Sequence, residues 1–162
     1  TVAGAMTPAG LGGCLIELMD RGLVDFIIST GANLYHDLHY ALNFTLHRGS
    51  PFLDDVELYE QGIIRIYDVL FPATVLLETD AYIRDFLART ELSGPVATSE
   101  FHYHLGRDLL DRNPGCEEYS VLARAGLSHG HGGRSRRTAV DRHAGRPSGD
   151  RDGRSLSHVR GA

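Results

Sequence analysis

The chain has 162 residues, 42% of them hydrophobic, and a formal net charge of −5 at pH 7. That length can hold one domain with a real core. No apolar run is long enough to span a bilayer, and nothing at the start reads as a secretory signal. All 16 basic side chains are arginine, so the sequence contains no lysine. Residues 1–123 carry 7 Arg against 18 Asp and Glu, a net of −11, whereas residues 124–162 carry 9 Arg against 3 Asp, a net of +6. Cys14 and Cys116 stand far apart and outside any metal-ligand spacing, and are expected as free thiols of a cytoplasmic protein. The chain opens on Thr1 rather than Met, which raises the expectation that the natural protein starts earlier.

In chain order, Thr7 and Pro8 form an N-cap and N1 pair, after which Leu11, Leu15, Leu18 and Met19 recur at helical spacing. Gly22 occupies the place of a helix-ending glycine. Residues 23–28 form an apolar run of strand length, interrupted only at Asp25, the pattern of a buried parallel strand. Asn33 is placed to cap a second helix running to about residue 47. An HRGSPFLDD loop follows, and GIIRIYDVLF, residues 62–71, predicts a second strand closed by Pro72. Two further helices are predicted over about 75–89 and 99–112, the latter with Phe101, Leu105 and Leu109 in one stripe. Helix alternating with buried strand predicts an α/β fold, with a parallel sheet and flanking helices.

The stretch Ser29-Thr30-Gly31-Ala32-Asn33 joins a buried strand to a helix, and small residues there let a phosphate approach a helix N-terminus. The segment Ala3-Gly4-Ala5-Met6-Thr7-Pro8-Ala9-Gly10 has the same character. Neither is a G-x-G-x-x-G, and a purely steric reason for such glycines stays open. His36 and His39 share a helix face with Asp37 between them. H-D-L-H is not H-E-x-x-H, and a metal would need a third ligand from elsewhere. His36 is therefore read as a polar pocket residue and His39, one turn deeper, as a hydrogen-bonded structural one.

From Arg124 onward Gly, Arg, Ser and His dominate, and aliphatic residues are scattered singly. Such a composition predicts disorder, because it cannot bury enough apolar surface to offset its ordering entropy. A basic arm touching nucleic acid or acidic lipid is an alternative, but interleaved aromatics are absent. An arginine-, glycine- and alanine-rich stretch of this kind also resembles a GC-rich gene read out of frame. The division expected is thus 1–123, an incomplete cofactor-binding α/β domain, and 124–162, a disordered tail in a non-native frame.

AGAMTPAGLGG, followed by VDFIISTGANLYHDLHYALNFTLHRGSPFLDDVELYEQGIIRIYDVLF, resembles the deoxyhypusine synthase superfamily, and more closely its bacterial deoxyhypusine synthase-like members. The likeness runs collinearly from residue 1 to about 123. It implies a partial Rossmann-like domain and an NAD-dependent transfer of an aminobutyl group from a polyamine such as spermidine, within a homotetramer that has active sites between subunits. By the same resemblance, Gly4, Ala5, Met6, Thr7 and Pro8 match the first cofactor-contacting segment, and Thr30, Gly31 and Ala32 match the second. Tyr35 and His36 stand where deoxyhypusine synthases carry an acidic pair facing the polyamine. Two lost carboxylates weaken the Coulomb attraction for a polycation. A neutral His36 could still accept a hydrogen bond or a proton from an amine.

The family's covalent intermediate is an imine on a lysine, and this sequence has none. The expectation is therefore a fragment of an aminobutyl transferase that is inactive by itself. A homospermidine synthase-type relative, with another acceptor amine, and a non-catalytic nucleotide-binding or assembly module are the alternatives. No metal, nucleic acid or membrane partner is expected.

Overall fold

The computed structural model describes residues 1–92 and 94–127, together with the backbone of Ala139–Arg142. The element order is a π-helical turn (Thr7–Leu11), α1 (Gly12–Asp20), β1 (Phe26–Ser29), α2 (Gly31–Ala41), β2 (His47–Arg48), α3 (Asp55–Glu60), β3 (Ile63–Ile66) and β4 (Val69–Pro72). It continues with α4 (Thr74–Arg89), α5 (Thr98–Arg112), a 3-10 turn (Cys116–Glu118), α6 (Val121–Gly126) and β5 (Ala139–Arg142). The fold is α/β: a helical body with a small antiparallel sheet beside it.

The predicted parallel sheet is corrected. The three-stranded sheet, in the order β2-β4-β3, is antiparallel throughout. Residues 62–71 do not make one buried strand. They double back as a hairpin, with Tyr67 at φ 55° in the turn. Among the described residues, parallel pairing is confined to β1 with β5 and to the bridge between Val2 and Ser29. Within the predicted tail only Ala139–Arg142 is described, and its backbone pairs with the open edge of β1, where it meets N–H and C=O groups. The rest of the predicted tail, 128–138 and 143–162, lies outside the described residues. The boundary expected at residue 123 falls inside α6, which runs to Gly126.

Helix ends follow local chemistry. α1 stops at Gly22, φ 62°, whose N–H donates to the Met19 carbonyl while the Leu23 N–H donates to that of Leu18, a Schellman closure. α2 stops at Ala41 rather than near 47 because Asn43 takes φ 60°. Its N–H reaches the Tyr40 carbonyl and that of Phe44 reaches His39. α3, which has no long apolar repeat, is started by Asp54, whose carboxylate accepts from the Val56 and Glu57 amides.

The core joins α2, α4, α5 and α6 through Leu38, Phe86, Leu109 and Leu122, all fully buried. Burying each such side chain contributes about 1.5–3 kcal/mol. α5 and α6 meet at Gly106 and Gly126. A Cβ at Gly106 would collide with the Leu122 carbonyl oxygen, and one at Gly126 would lie 2.6 Å from the Gly106 carbonyl carbon. On the far side of the core, Tyr82 donates to Asp108 at 2.7 Å, and Arg89 and Arg112 bridge from there to Asp85. Among the described residues no helix is long and apolar enough to cross a membrane.

Candidate functional site

The two small-residue turns, more than twenty residues apart in sequence, are held side by side at the carboxyl end of β1. Val2 lies along β1, its N–H donating to the Ile28 carbonyl at 2.8 Å and its carbonyl accepting from the Thr30 N–H at 3.2 Å. Asn33, 1% exposed, then fastens the turns to each other. Its Oδ1 accepts from the Thr7 N–H at 3.0 Å, and its backbone carbonyl accepts from the Thr7 hydroxyl at 2.6 Å. Its Nδ2 donates to the Thr30 hydroxyl oxygen and the Val2 carbonyl. The Thr30 hydroxyl in turn donates to the Gly4 carbonyl at 2.7 Å, which Gly4 presents by adopting φ 67°.

Two predicted caps are thereby corrected. Thr7 does not cap the first helix: Met6 precedes the π turn and gives no side-chain cap. Asn33 does not cap α2: Thr30 holds that position. Both side chains are instead spent on the long-range tie, a use that spacing along one helix cannot reveal.

The candidate cofactor residues divide by exposure. Thr7 and Pro8 are buried and belong to the scaffold. Gly4, Met6, Thr30 and Ala32 are exposed, and Ala5 and Gly31 are half-buried, so these form the accessible rim. Thr30 makes no side-chain cap hydrogen bond to α2, and the first turn of α2 holds no acidic residue. The first amides of an α-helix have no intrahelical acceptor and carry the positive end of its dipole. A phosphate can take up that position without displacing a side chain. Behind the rim lies a hollow of about 190 Å³ lined by Thr7, Gly10, Asp37, Tyr40 and Tyr119, among others.

Further along α2, Tyr35 and His36 lie in different settings. The Tyr35 hydroxyl donates to Asp80 at 2.7 Å and to the Leu76 carbonyl at 3.1 Å, tying α2 to α4. Burial first, and then the Asp80 carboxylate, raise its pKa well above the ordinary phenol value. His36 is half-buried against Phe71, and burial lowers its pKa. His39 is 1% exposed, and burial followed by the charge His36 would carry pushes its pKa down to about 4. His39 is structural in its burial, but its Nε2 has no hydrogen-bond partner among the described residues, nor has Nδ1 of His36. Among the described residues no three His, Cys, Asp or Glu side chains converge on one point.

Sequence reasoning passed over Asp37, which is 1% exposed and accepts from the Ser120 hydroxyl and the Val121 and Leu122 amides. A buried carboxylate in the middle of an amphipathic helix was the available signal, since Asp is rarely fully buried without partners.

Two small-residue turns thus meet beside a helix N-terminus at the carboxyl end of a strand. The deoxyhypusine synthase family model matches residues 1–128, and the chain belongs to that family. The match continues a few residues past the limit of about 123 expected from the motifs. The chain is 50% identical over 128 residues to a deoxyhypusine synthase-like protein of Nostoc sp. (strain PCC 7120), covering 77% of this chain and 33% of that protein. It is 54% identical over 107 residues to a deoxyhypusine synthase-like protein of Thermosynechococcus vestitus, covering 65% and 27%. It is also 38% identical over 126 residues to "Probable deoxyhypusine synthase 2" of Methanosarcina mazei, covering 76% and 35%. The chain thus spans about a third of the length of the curated relatives it matches.

Proposed function

We propose that the chain is the dinucleotide-binding portion of an NAD-dependent enzyme that moves an aminobutyl group from a polyamine to an acceptor amine, working as a homo-oligomer in the cytoplasm. The observation that carries the reading is the Asn33 tie, which holds an uncapped helix N-terminus beside the turn of Gly4, Ala5 and Met6. The Gly31 and Ala32 amides would face the pyrophosphate, and Gly4 would let it approach where a side chain would stand. Thr7 and Pro8 would contribute from beneath, as scaffold. NAD, when bound, supplies the hydride acceptor.

Covalent capture of the butyl unit needs a primary amine side chain, and the sequence has no lysine. Arginine stays protonated and cannot take that part. That same observation favours a second reading, in which this chain by itself is a nucleotide-binding or assembly module.

Calorimetric titration with NAD tests the site. Ala32→Asp places a carboxylate in the first turn of α2, where helices welcome it but a phosphate does not. Binding should fall at least about tenfold, the effect of 1.4 kcal/mol of repulsion. Equal affinity in both proteins, or none in either, overturns the assignment. Incubation with NAD, spermidine and putrescine should give no homospermidine, and turnover would refute the lysine argument.

A further inference from the structure

His36 and His39 lie three residues apart on α2, so their side chains share one face. Their ring centroids are 4.9 Å apart with planes at 85°. Nδ1 of His36 and Nε2 of His39 are both buried, and neither has a partner among the described residues. A buried polar nitrogen without a partner costs free energy that the fold must recover elsewhere. The surroundings offer no relief. Tyr35 stands edge-on to both rings, Phe71 of β4 packs on both, and Phe44 packs on His39. The neighbouring carboxylates are committed: Asp80 of α4 to the Tyr35 hydroxyl, and Asp37 of α2 to Ser120, Val121 and Leu122.

A single change satisfies both orphans at once. If His36 carries its proton on Nδ1 and turns its ring toward His39, an N–H···N hydrogen bond of about 3 Å closes between the two rings. The partner of one ring nitrogen fixes the tautomer of an imidazole, and hence the character of the other nitrogen. Nε2 of His36 is then left as a lone pair on the more exposed side of the pair.

We propose that His36 and His39 form an acid–base couple holding at most one extra proton, in which Nε2 of His36 is the proton acceptor and His39 is the positioning residue that sets its tautomer. The inference rests on the amine-transfer reading for its substrate, a primary or secondary alkylamine. In the step concerned, the N–H bond of a substrate ammonium breaks and its electron pair stays on the amine nitrogen. The proton forms a new N–H bond at Nε2 of His36. Among the described residues no free carboxylate faces the couple to favour a second proton, and the two rings at this distance oppose it. The couple is therefore neutral at rest and offers the amine a lone pair, not a counter-charge.

Long-range 1H–15N spectra of the histidine-labelled full chain test this across pH. His36 should appear as the Nδ1–H tautomer at pH 8, and the pair should titrate in two steps more than about one pH unit apart. In His39→Phe, which keeps an aromatic ring in the packing, His36 should lose that tautomer preference and titrate in one step. In His36→Gln, His39 should titrate in one step at higher pH than in the full pair. Independent titration of the two rings in the unmodified chain, or a His36 tautomer indifferent to His39→Phe, overturns the couple. Spermidine added to the unmodified chain should move the His36 resonances. An intact couple that no alkylamine perturbs refutes the amine-transfer reading and leaves the couple standing.

Discussion

The Asp37 carboxylate accepts the Ser120 hydroxyl at 2.7 Å, across 83 residues of sequence. The same carboxylate takes the Val121 and Leu122 amides at 3.0 and 2.9 Å, so one side chain on α2 caps the start of α6. Asp37→Ala strands three buried donors at the start of α6, where Ser120 still caps the Ala123 amide. Leaving a buried donor without an acceptor costs about 1–3 kcal/mol. Urea unfolding should therefore show a loss of at least about 2 kcal/mol, and a smaller loss would mean that water replaces the carboxylate freely.

Asp37 and His39 pull the pH dependence of stability in opposite directions. Burial raises the Asp37 pKa from 3.8 to about 6, although the Leu122, Ser120 and Val121 hydrogen bonds oppose the shift. A folded pKa above the unfolded one gives stability that is full below 3.8 and lost as pH rises through about 6. His39 is depressed from 6.5 to about 4, so its contribution is full above 6.5 and lost as pH falls through about 4. Asp37→Asn should make the chain more acid-sensitive across that window, and His39→Gln should make it less so. Denaturation midpoints measured between pH 4 and 7 check the slopes, and parallel slopes in the two variants would contradict the assignment.

Gly106 sits where α5 and α6 touch backbone to backbone. Gly106→Ala drives a methyl into the Leu122 carbonyl, and the α6 backbone cannot yield without losing the Asp37 cap. The expected cost is about 2 kcal/mol or more, in the range for overpacking a tight contact. Gly13→Ala, on α1 with open space around its Cβ, should be neutral or slightly stabilising. Thermal melts of the two variants make the comparison.

Asn33→Ala removes the acceptor of the buried Thr7 amide and the donor to the Thr30 hydroxyl. It should cost about 2 kcal/mol in unfolding free energy. It should also weaken NAD binding, because the Gly4 turn and the start of α2 are no longer held together. Calorimetry on the folded variant at low temperature separates the two effects. Unchanged NAD affinity would place the cofactor elsewhere.

What was legible in the sequence was mostly local. The helices predicted over 75–89 and 99–112 correspond to α4 and α5, because their apolar stripes repeat over four turns and their ends carry ordinary signals. The Gly22 stop was legible for the same reason. The hairpin of β3 and β4 was not, since Tyr67 and Asp68 are an unusual turn pair and 63–71 reads as one strand-forming run rich in apolar residues. α2 was drawn too long because Asn43 gives little warning that it will take a left-handed conformation. At the site, the small-residue turns could be found from composition. The roles of Thr7, Asn33 and Asp37 could not, because each is set by a partner more than twenty residues away. Local capping rules then assign the side chain to the wrong neighbour.

Asn33 touches three segments that local sequence never brings near one another: the Val2 carbonyl, the Thr7 amide and the Thr30 hydroxyl. A knot of this kind opens all at once or stays shut, because releasing any one strand leaves the others without their shared partner. The Thr7 and Thr30 amides should accordingly exchange with deuterium at matched rates, as one cooperative unit, although they begin different helical segments.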